Sequence, residues 1–466
     1  MRGLVARDGA FYDHVSLHWN FMATPTPSVK AVRGTRDLLP PETALWARIE
    51  QTAREVFSRY GFGEIRTPIF EATELFARGV GEETDIVSKE MYTWEDRARA
   101  QSEKAQSLTL RPENTAGVVR AYIEHKLGET GALNKLFYIG PQFRRERPQR
   151  GRYRQFWQIG CEVLGPPTSG SESPVRDAEV LEMLATLLDE LGVKNWRLEL
   201  NSVGSTEDRK RYNAALREAL APVKHKLNED NQRRAETNPL RVLDSKDPAD
   251  QEIIAALPKI ADYLDDDSRA HFAGVLAALD ACGVPYTINP RLVRGLDYYT
   301  RTTFEFTVPS SADPATGLGT QNALLGGGRY DGLSEMLGGP KAPGIGFAIG
   351  EDRLVLTLQA QTEALEPGTS NLEPSKLDAY IAPMGAERNA AALALARELR
   401  RAGLSVELGD GTFRLKKSFE AADRVARHIV ILGEDELAGG SATVKTFASG
   451  EQVKVERAKL TDLLRQ

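Results

Sequence analysis

Apolar residues recur along this chain with two different periods, and the switches between them mark out its elements. Alternation predicts strands over 136–143 and 155–164. In the second, Trp157, Ile159, Cys161 and Val163 share one face and Phe156, Gln158, Gly160, Glu162 and Leu164 the other. The first face has the make-up of a core. The second holds a glutamine, a glycine and a carboxylate between apolar ends, and a glycine inside a strand often marks close approach by a ligand or another backbone. Gln158 and Glu162 are therefore expected on the floor of a pocket, with an ordinary half-exposed sheet face as the alternative this window leaves open.

Helical spacing of Leu45, Ile49, Ala53, Val56, Phe57 and Tyr60 predicts a helix over 42–60, stopped at Gly61 and followed by a strand over 63–68. A strand from Ser107 runs into a helix reaching Glu124. At that junction Glu113 and Thr115 could cap the helix or hold a substrate ammonium. Residues 79–92 are polar and punctuated by glycine, and predict a mobile loop beside a site. A helix over 175–191 and a strand over 196–203 follow, and Ser205 to Asp208 has the form of a capping box. Residues 206–288 are charged and helix-rich, the pattern of an inserted helical domain.

Strand character returns over 291–306. The glycines 326–328 predict a turn or a close backbone approach, and 344–356 predicts strand, glycine turn and helix. That helix start suits an anion, whereas Arg353 in its first turn opposes the helix dipole unless an anion lies between them. Residues 357–376 are polar and proline-containing, a linker. Beyond them a βαβαβ order predicts a small parallel sheet, with further strands over 441–455 and a last helix over 456–465. Arg414, Lys416, Lys417, Arg424 and Arg427 give it a basic helix surface, either an RNA contact or a solvated face.

At 466 residues the chain exceeds one ordinary core. Hydrophobic residues at 41% and charged residues at 27% fit a soluble globular protein. No apolar run approaches the ~18 residues of a membrane span. Cys161 and Cys282 lie far apart and outside any CxxC pattern, and the six histidines show no ligand spacing. A structural zinc site is thus disfavoured and a reducing cytoplasm expected. With a net charge of −6, contact with a polyanion must come from local basic patches. Residues 1–21 lack the apolar region of a signal peptide, and Met22 reads as a start codon.

The chemistry concentrates in the segment between the two paired strands. Arg144, Arg145, Arg147, Arg150, Arg152 and Arg154 crowd it with no lysine among them. Guanidinium is a rigid, always-charged fork that matches phosphate oxygens in pairs, so this loop is a candidate polyphosphate cradle, or else a solvated hairpin tip. Tyr298 and Tyr299 carry the apolar body and single hydroxyl that suit the wall of a small polar pocket.

Over about residues 31–466 these elements resemble the histidyl-tRNA synthetase family of class II aminoacyl-tRNA synthetases. The helix and strand ending at Pro68 are similar to motif 1, FRRE at 143–146 to motif 2, and GIGFAIGEDRL at 344–354 to motif 3. RGLDYYTRTTFEF at 294–306 resembles a histidine-specific signature.

The resemblance implies an α+β fold: a class II antiparallel sheet with flanking helices, an inserted helical domain and a C-terminal α/β anticodon-binding domain. The expected boundaries are a disordered extension at 1–30, catalytic core at 31–205 and 289–358, insertion at 206–288, linker at 359–376 and anticodon-binding domain at 377–466. It further implies ATP-dependent activation of L-histidine, with Mg2+ on the ATP phosphates, and transfer to tRNA(His) by a cytoplasmic homodimer, with no protein metal site.

Carried over by position, Arg144 would hold the ATP α-phosphate and the histidine carboxylate, and Glu146 the adenine side. Arg152 would also contact ATP, Arg353 the γ-phosphate, and Arg294 would act at the α-phosphate as a catalytic arginine. Glu113 and Thr115 would hold the histidine α-amino group. Gln158, Glu162, Tyr298 and Tyr299 would line the side-chain pocket, with Tyr330 nearby. Asn114 joins the histidine-binding set but departs from an expected glycine, and its side chain would narrow the entrance. The competing expectation is a catalytically idle relative that regulates histidine biosynthesis. Arg144, Arg294, Arg353 and a full C-terminal domain argue against it.

Overall fold

The computed structural model describes residues 28–81, 84, 86–96, 105–245, 247–293, 295–296, 298–309, 322–365 and 376–465. Arg294, most of the 1–30 extension, three positions of the 79–92 loop and most of the linker lie outside the described residues.

The strands in chain order are β1 (Gly63–Glu64), β2 (Phe70–Ala72), β3 (Tyr92–Asp96), β4 (Gln106–Leu110), β5 (Asn134–Phe143), β6 (Gln155–Leu164), β7 (Arg197–Ser202), β8 (Thr287–Ile288), β9 (Thr300–Thr307), β10 (Ala323–Arg329), β11 (Gly344–Gly350), β12 (Leu377–Pro383), β13 (Val406–Leu408), β14 (Ala426–Leu432), β15 (Ser441–Thr446) and β16 (Gln452–Glu456). An eight-stranded sheet runs β1-β5-β6-β11-β10-β9-β7-β8. It is antiparallel except for the two short edge pairs, β1 with β5 and β7 with β8. β2, β4 and β3 form a separate antiparallel sheet.

Period-two alternation gives the large sheet two unlike faces. On one, Ile159, Cys161 and Val163 of β6 join Ile345, Phe347 and Ile349 of β11 in the main core. The helix Glu42–Arg59 closes that core with Ile49, Ala53, Val56 and Phe57, all fully buried at helical spacing. The helix Pro174–Leu191 packs beside it. Ser173 caps that helix, Pro174 opens it and Gly192 ends it in the left-handed conformation, so its limits are written locally. The opposite face pairs Glu162 with Gly346 and Gly160 with Ala348, and these small residues leave room above the sheet.

Four expectations need correction. The strand expected over 63–68 is ordered as a strand only at Gly63–Glu64. Further on, the Thr67 carbonyl and hydroxyl are taken by the Arg111 guanidinium, each at 3.0 Å. Of the two readings of glycines 326–328, the close backbone approach holds and the turn does not, since they are part of central strand β10. They sit where β9 and β11 approach too closely for side chains: a Cβ on Gly327 would lie 2.1 Å from the Gly346 carbonyl oxygen. No glycine turn follows β11, because helix Glu351–Leu365 begins at once and runs beyond residue 359, where the linker was expected. The 79–92 segment is also less loop-like, with helix Thr73–Val80 at one end and a helical turn at Ile86–Glu90.

Residues 212–264 build a small core of their own, while helix Asp266–Cys282 packs on Pro174–Leu191 and adds Val275 and Leu279 to the main core. The capping box at Ser205 and Asp208 is present. The C-terminal sheet runs β13-β12-β14-β15-β16, parallel in its first three strands and antiparallel thereafter.

Candidate active site

A cleft of about 560 Å³ opens on the glycine-rich face of the large sheet. Glu113, Thr115, Tyr138, Arg144, Glu146, Arg152, Gln158, Tyr298, Tyr299, Tyr330 and Arg353 line it, together with Arg234, Arg241 and Asp244 from the helical insertion. Six separated stretches of sequence thus converge: the end of β4, the β5–β6 hairpin, the helical insertion and the ends of β9, β10 and β11.

Glu162 lies beneath the floor: it is completely buried and does not itself line the cleft, which Thr115 and Tyr330 do. Its Oε1 accepts from the Thr115 hydroxyl at 2.7 Å and its Oε2 from the Tyr330 hydroxyl at 2.6 Å. A carboxylate fits there only because the residue opposite is glycine: a Cβ on Gly346 would lie 1.8 Å from Glu162 Oε2. Gly160 likewise makes room for the Tyr138 ring, which a Cβ would approach to 2.3 Å. Burial pushes the Glu162 carboxyl up to about 8 against its two hydroxyl donors, with Glu113 adding in the same direction. Tyr298 lies with its ring centroid 4.7 Å from that of Tyr299 and 5.9 Å from that of Tyr330, which makes an aromatic wall. The Gln158 Oε1 is buried and has no hydrogen-bond partner among the described residues. An orphaned acceptor beside a cavity is a place for a ligand donor.

Glu113 accepts from the backbone N–H groups of Thr115 at 2.7 Å and Ala116 at 3.0 Å, so it caps its helix as well as facing the cleft. Burial raises its carboxyl above the ordinary range. A carboxylate has about four lone-pair sites, so two backbone donors leave capacity for an ammonium. Asn114 is buried, but its Oδ1 accepts from the Thr67 hydroxyl at 2.6 Å and it does not line the cleft. The narrowing expected from its side chain is absent, because the residue turns toward the β1–β2 connection.

The mouth is cationic. Arg144 donates from Nε to the Pro112 carbonyl at 2.9 Å and lies 5.2 Å from the Phe156 ring centroid. Arg152 pairs with Glu146 at 3.3 Å. Arg353 donates to the Ala323 carbonyl at 2.9 Å. Its neighbour Asp352 accepts from Arg36 at 2.9 Å and from the Trp157 N–H at 3.3 Å, which ties this helix start to β6. Burial first, and then the guanidinium of Arg152, bring Arg353 down to about 10. A buried cation depressed by like charge is a setting that an anionic ligand relieves.

The fan of six arginines does not converge as a unit. Arg145, Arg147 and Arg150 are exposed, and Arg154 donates to the Arg33 carbonyl at 3.1 Å, away from the cleft. Arg144 and Arg152 alone of the six line it. Tyr138 and the insertion residues were missed. Tyr138 could have been found from strand register, because it stands opposite Gly160 in the β5–β6 pair. No local pattern marks Arg234, Arg241 or Asp244.

Glu351, at the start of the helix after β11, is fully buried, and neither carboxylate oxygen has a hydrogen-bond partner among the described residues. Burial, then Glu50 and Asp352, push it up to about 9. Glu162 and Glu351 therefore both bind a proton on folding. The stability they contribute is complete below the ordinary glutamate value of 4.5 and lost as pH rises through about 8 and about 9. The melting temperature is expected to fall between about pH 5 and about pH 9. Glu351→Gln, an isostere of the protonated acid, should raise it by a few degrees at the alkaline end and leave the acid end unchanged. Calorimetric profiles of parent and variant running parallel across this range would remove that assignment.

Comparison with known proteins agrees with the architecture. The model of the family described as histidyl-tRNA synthetase matches residues 34–354, and that of the anticodon binding domain residues 378–466. The histidine--tRNA ligase of Koribacter versatilis (strain Ellin345) is 68% identical over 438 residues, covering 94% of this chain and 96% of that protein. That of Solibacter usitatus (strain Ellin6076) is 53% identical over 434 residues, covering 93% and 98%. The crystal structure of apo S. aureus histidyl-tRNA synthetase matches with a TM-score of 0.74 at 37% identity, over 94% of this chain and 100% of that one. On sequence, fold and domain content together, the chain belongs to the histidyl-tRNA synthetase family.

Proposed function

We propose that this protein activates L-histidine with ATP, forming histidyl-adenylate and pyrophosphate, and then transfers the histidyl group to the 3′ end of tRNA(His). The observation that carries the reading is Glu162, buried between two hydroxyl donors under an aromatic wall, with Arg144 and Arg353 at the mouth of the same cleft. Neutral imidazole is a donor at one nitrogen and an acceptor at the other. Glu162 with the Tyr330 and Tyr298 hydroxyls offers both kinds of partner, and Gln158 Oε1 offers a further acceptor. Glu113 and Thr115 hold the α-ammonium, and Arg144 holds the carboxylate against the α-phosphate.

In the first step a histidine carboxylate oxygen bonds to the α-phosphorus as the bond to the β-phosphate oxygen breaks, and pyrophosphate leaves. Negative charge builds on the phosphate oxygens. Fixed guanidinium groups stabilise it without reorganising at the moment of reaction. Arg144 and Arg294 serve the α-phosphate, Arg353 the γ-phosphate, and Glu146 with Arg152 the nucleotide on its adenine side. No side chain need act as a nucleophile.

Mg2+ bound with ATP would offset charge on the phosphate oxygens. Among the described residues no group of three or more His, Cys, Asp or Glu side chains forms an ion site. Glu305 lines the cleft beside Arg353 and is the carboxylate that would fit such an ion.

In this reading the helical insertion at 206–288 separates the two catalytic segments, 31–205 and 289–358, and the anticodon-binding domain at 377–466 follows them. The same reading extends to a cytoplasmic homodimer, for which light scattering should give twice the 51.3 kDa chain mass. Among the described residues no helix is long and apolar enough to cross a membrane.

The deciding experiment is histidine-dependent ATP–pyrophosphate exchange by the purified protein. Exchange that required a different amino acid, or its absence from folded protein, would overturn the reading, and absence would favour a regulatory role. Deleting residues 376–466 should leave exchange intact and reduce tRNA charging by about 10²-fold or more, the avidity that a second binding module supplies. Undiminished charging by the truncated protein would count against an anticodon-reading domain.

A further inference from the structure

Strand β10 ends in Arg329, whose charge has no part in the chemistry above. Its side chain is fully buried, as is that of Asp177 on helix Pro174–Leu191. Arg329 Nε donates to both Asp177 oxygens, at 3.1 and 3.2 Å, and Nη2 bonds to Asp177 as well as to the Ser171 carbonyl at 3.0 Å. His271, from helix Asp266–Cys282, places Nε2 2.8 Å from the second Asp177 oxygen. Arg329 Nη1 reaches Asp331 at 2.9 Å, so the residues on either side of Tyr330 are bonded to each other.

A wholly buried ion pair is poor value as a source of stability, because desolvation offsets most of the attraction and a well-packed apolar pair is often as good. What such a pair does supply is one geometry. Here the geometry concerns Tyr330. Its N–H donates to the Gly344 carbonyl at 2.8 Å, and the Asp331 N–H donates to the Thr300 hydroxyl at 3.1 Å. The pairing with β9 is irregular between Gly328 and Arg329 while that with β11 runs regularly through Arg329, so the ladder holds this corner from one side only. From it the Tyr330 hydroxyl reaches Glu162 at 2.6 Å.

We propose that Arg329, clamped by Asp177 and Asp331, is a positioning residue for histidine selection: it fixes the backbone around Tyr330 so that the Tyr330 hydroxyl stays on the Glu162 carboxylate. This rests on the reading of Glu162 and Tyr330 as the histidine floor. Asp177 belongs to a helix that packs in the main core, and His271 to the helix that follows the insertion's own cluster. The substrate pocket is therefore braced from behind by the core rather than by its own rim.

The test is a double-mutant cycle of Arg329→Lys and Tyr330→Phe, with KM for histidine and for ATP measured in pyrophosphate exchange. Lysine keeps the charge but cannot span Asp177, Ser171 and Asp331 at once. Each single change should raise the histidine KM about tenfold and leave the ATP KM within about twofold, and the double variant should be no more than about twofold worse than Tyr330→Phe alone. Effects that multiply to about a hundredfold, or equal rises in both KM values, would mean that Arg329 acts only on the general fold and would overturn the proposal. A Tyr330→Phe variant with unchanged histidine KM would instead remove the underlying pocket assignment, and the proposal with it. If Arg329→Lys does not fold, Asp331→Asn opens the clamp from its exposed side and takes its place in the cycle with the same expectations.

Discussion

Arg144→Ala is expected to lower histidine-dependent pyrophosphate exchange by about 10²–10³-fold, the usual cost of removing one preorganised donor to charge that develops in a transition state. The side chain is held at Nε by the Pro112 carbonyl and lies over Phe156, so its fork is already oriented by the protein itself. Its Nη groups make no hydrogen bond to a described residue. The guanidinium is half-buried, and the residue lies where β5 leaves the sheet, so the fold should survive its removal. The melting temperature should therefore move by a few degrees at most while turnover collapses. Pre-steady-state adenylate formation within about tenfold of the parent would exclude Arg144 from the phosphate site.

Glu162→Gln should raise the KM for histidine by about 10- to 150-fold and leave that for ATP almost unchanged, since a hydrogen bond to a charged or polar buried partner contributes roughly 1.5–3 kcal/mol. Thr115 and Tyr330, which line the cleft, hold the two Glu162 oxygens at 2.7 and 2.6 Å. Their hydroxyls can rotate to serve an amide, so the glutamine is tolerated in place, but its fixed donor and acceptor no longer adapt to an imidazole. Discrimination against amino acids with no ring nitrogen should fall in parallel, because a site built for a polar group rejects analogues lacking it through its own unpaired atoms. Exchange kinetics with histidine and ATP varied separately decide the matter. Equal effects on the two substrates would argue for a general loss of structure instead.

Much of this was legible in the sequence because it is written in short-range patterns. Period-two alternation over residues 155–164 put Ile159, Cys161 and Val163 on the core side and Gln158 and Glu162 on the other, as the buried faces of β6 now show. Helical spacing, caps and glycine stops marked the helices Glu42–Arg59 and Pro174–Leu191 almost to the residue. Six arginines in one loop carried the electrostatic character of the mouth without saying which of them face it. Arg144 and Arg152 turn inward while Arg154 finds the Arg33 carbonyl, a partner that no local rule identifies.

The two faces of β6, the helices Glu42–Arg59 and Pro174–Leu191 and the family were thus legible in the amino-acid sequence alone, since each depends on neighbours within a few residues or on motif spacing. The tertiary structure alone decided that 326–328 is a central strand, that Asn114 turns to Thr67, and that Arg329 is bound to Asp177 from the far side of the core. Each of those outcomes is set by what a segment packs against rather than by what it is made of. Close approach of two strands turns a glycine run from a bend into a ladder, and a buried charge goes wherever its partner happens to be brought.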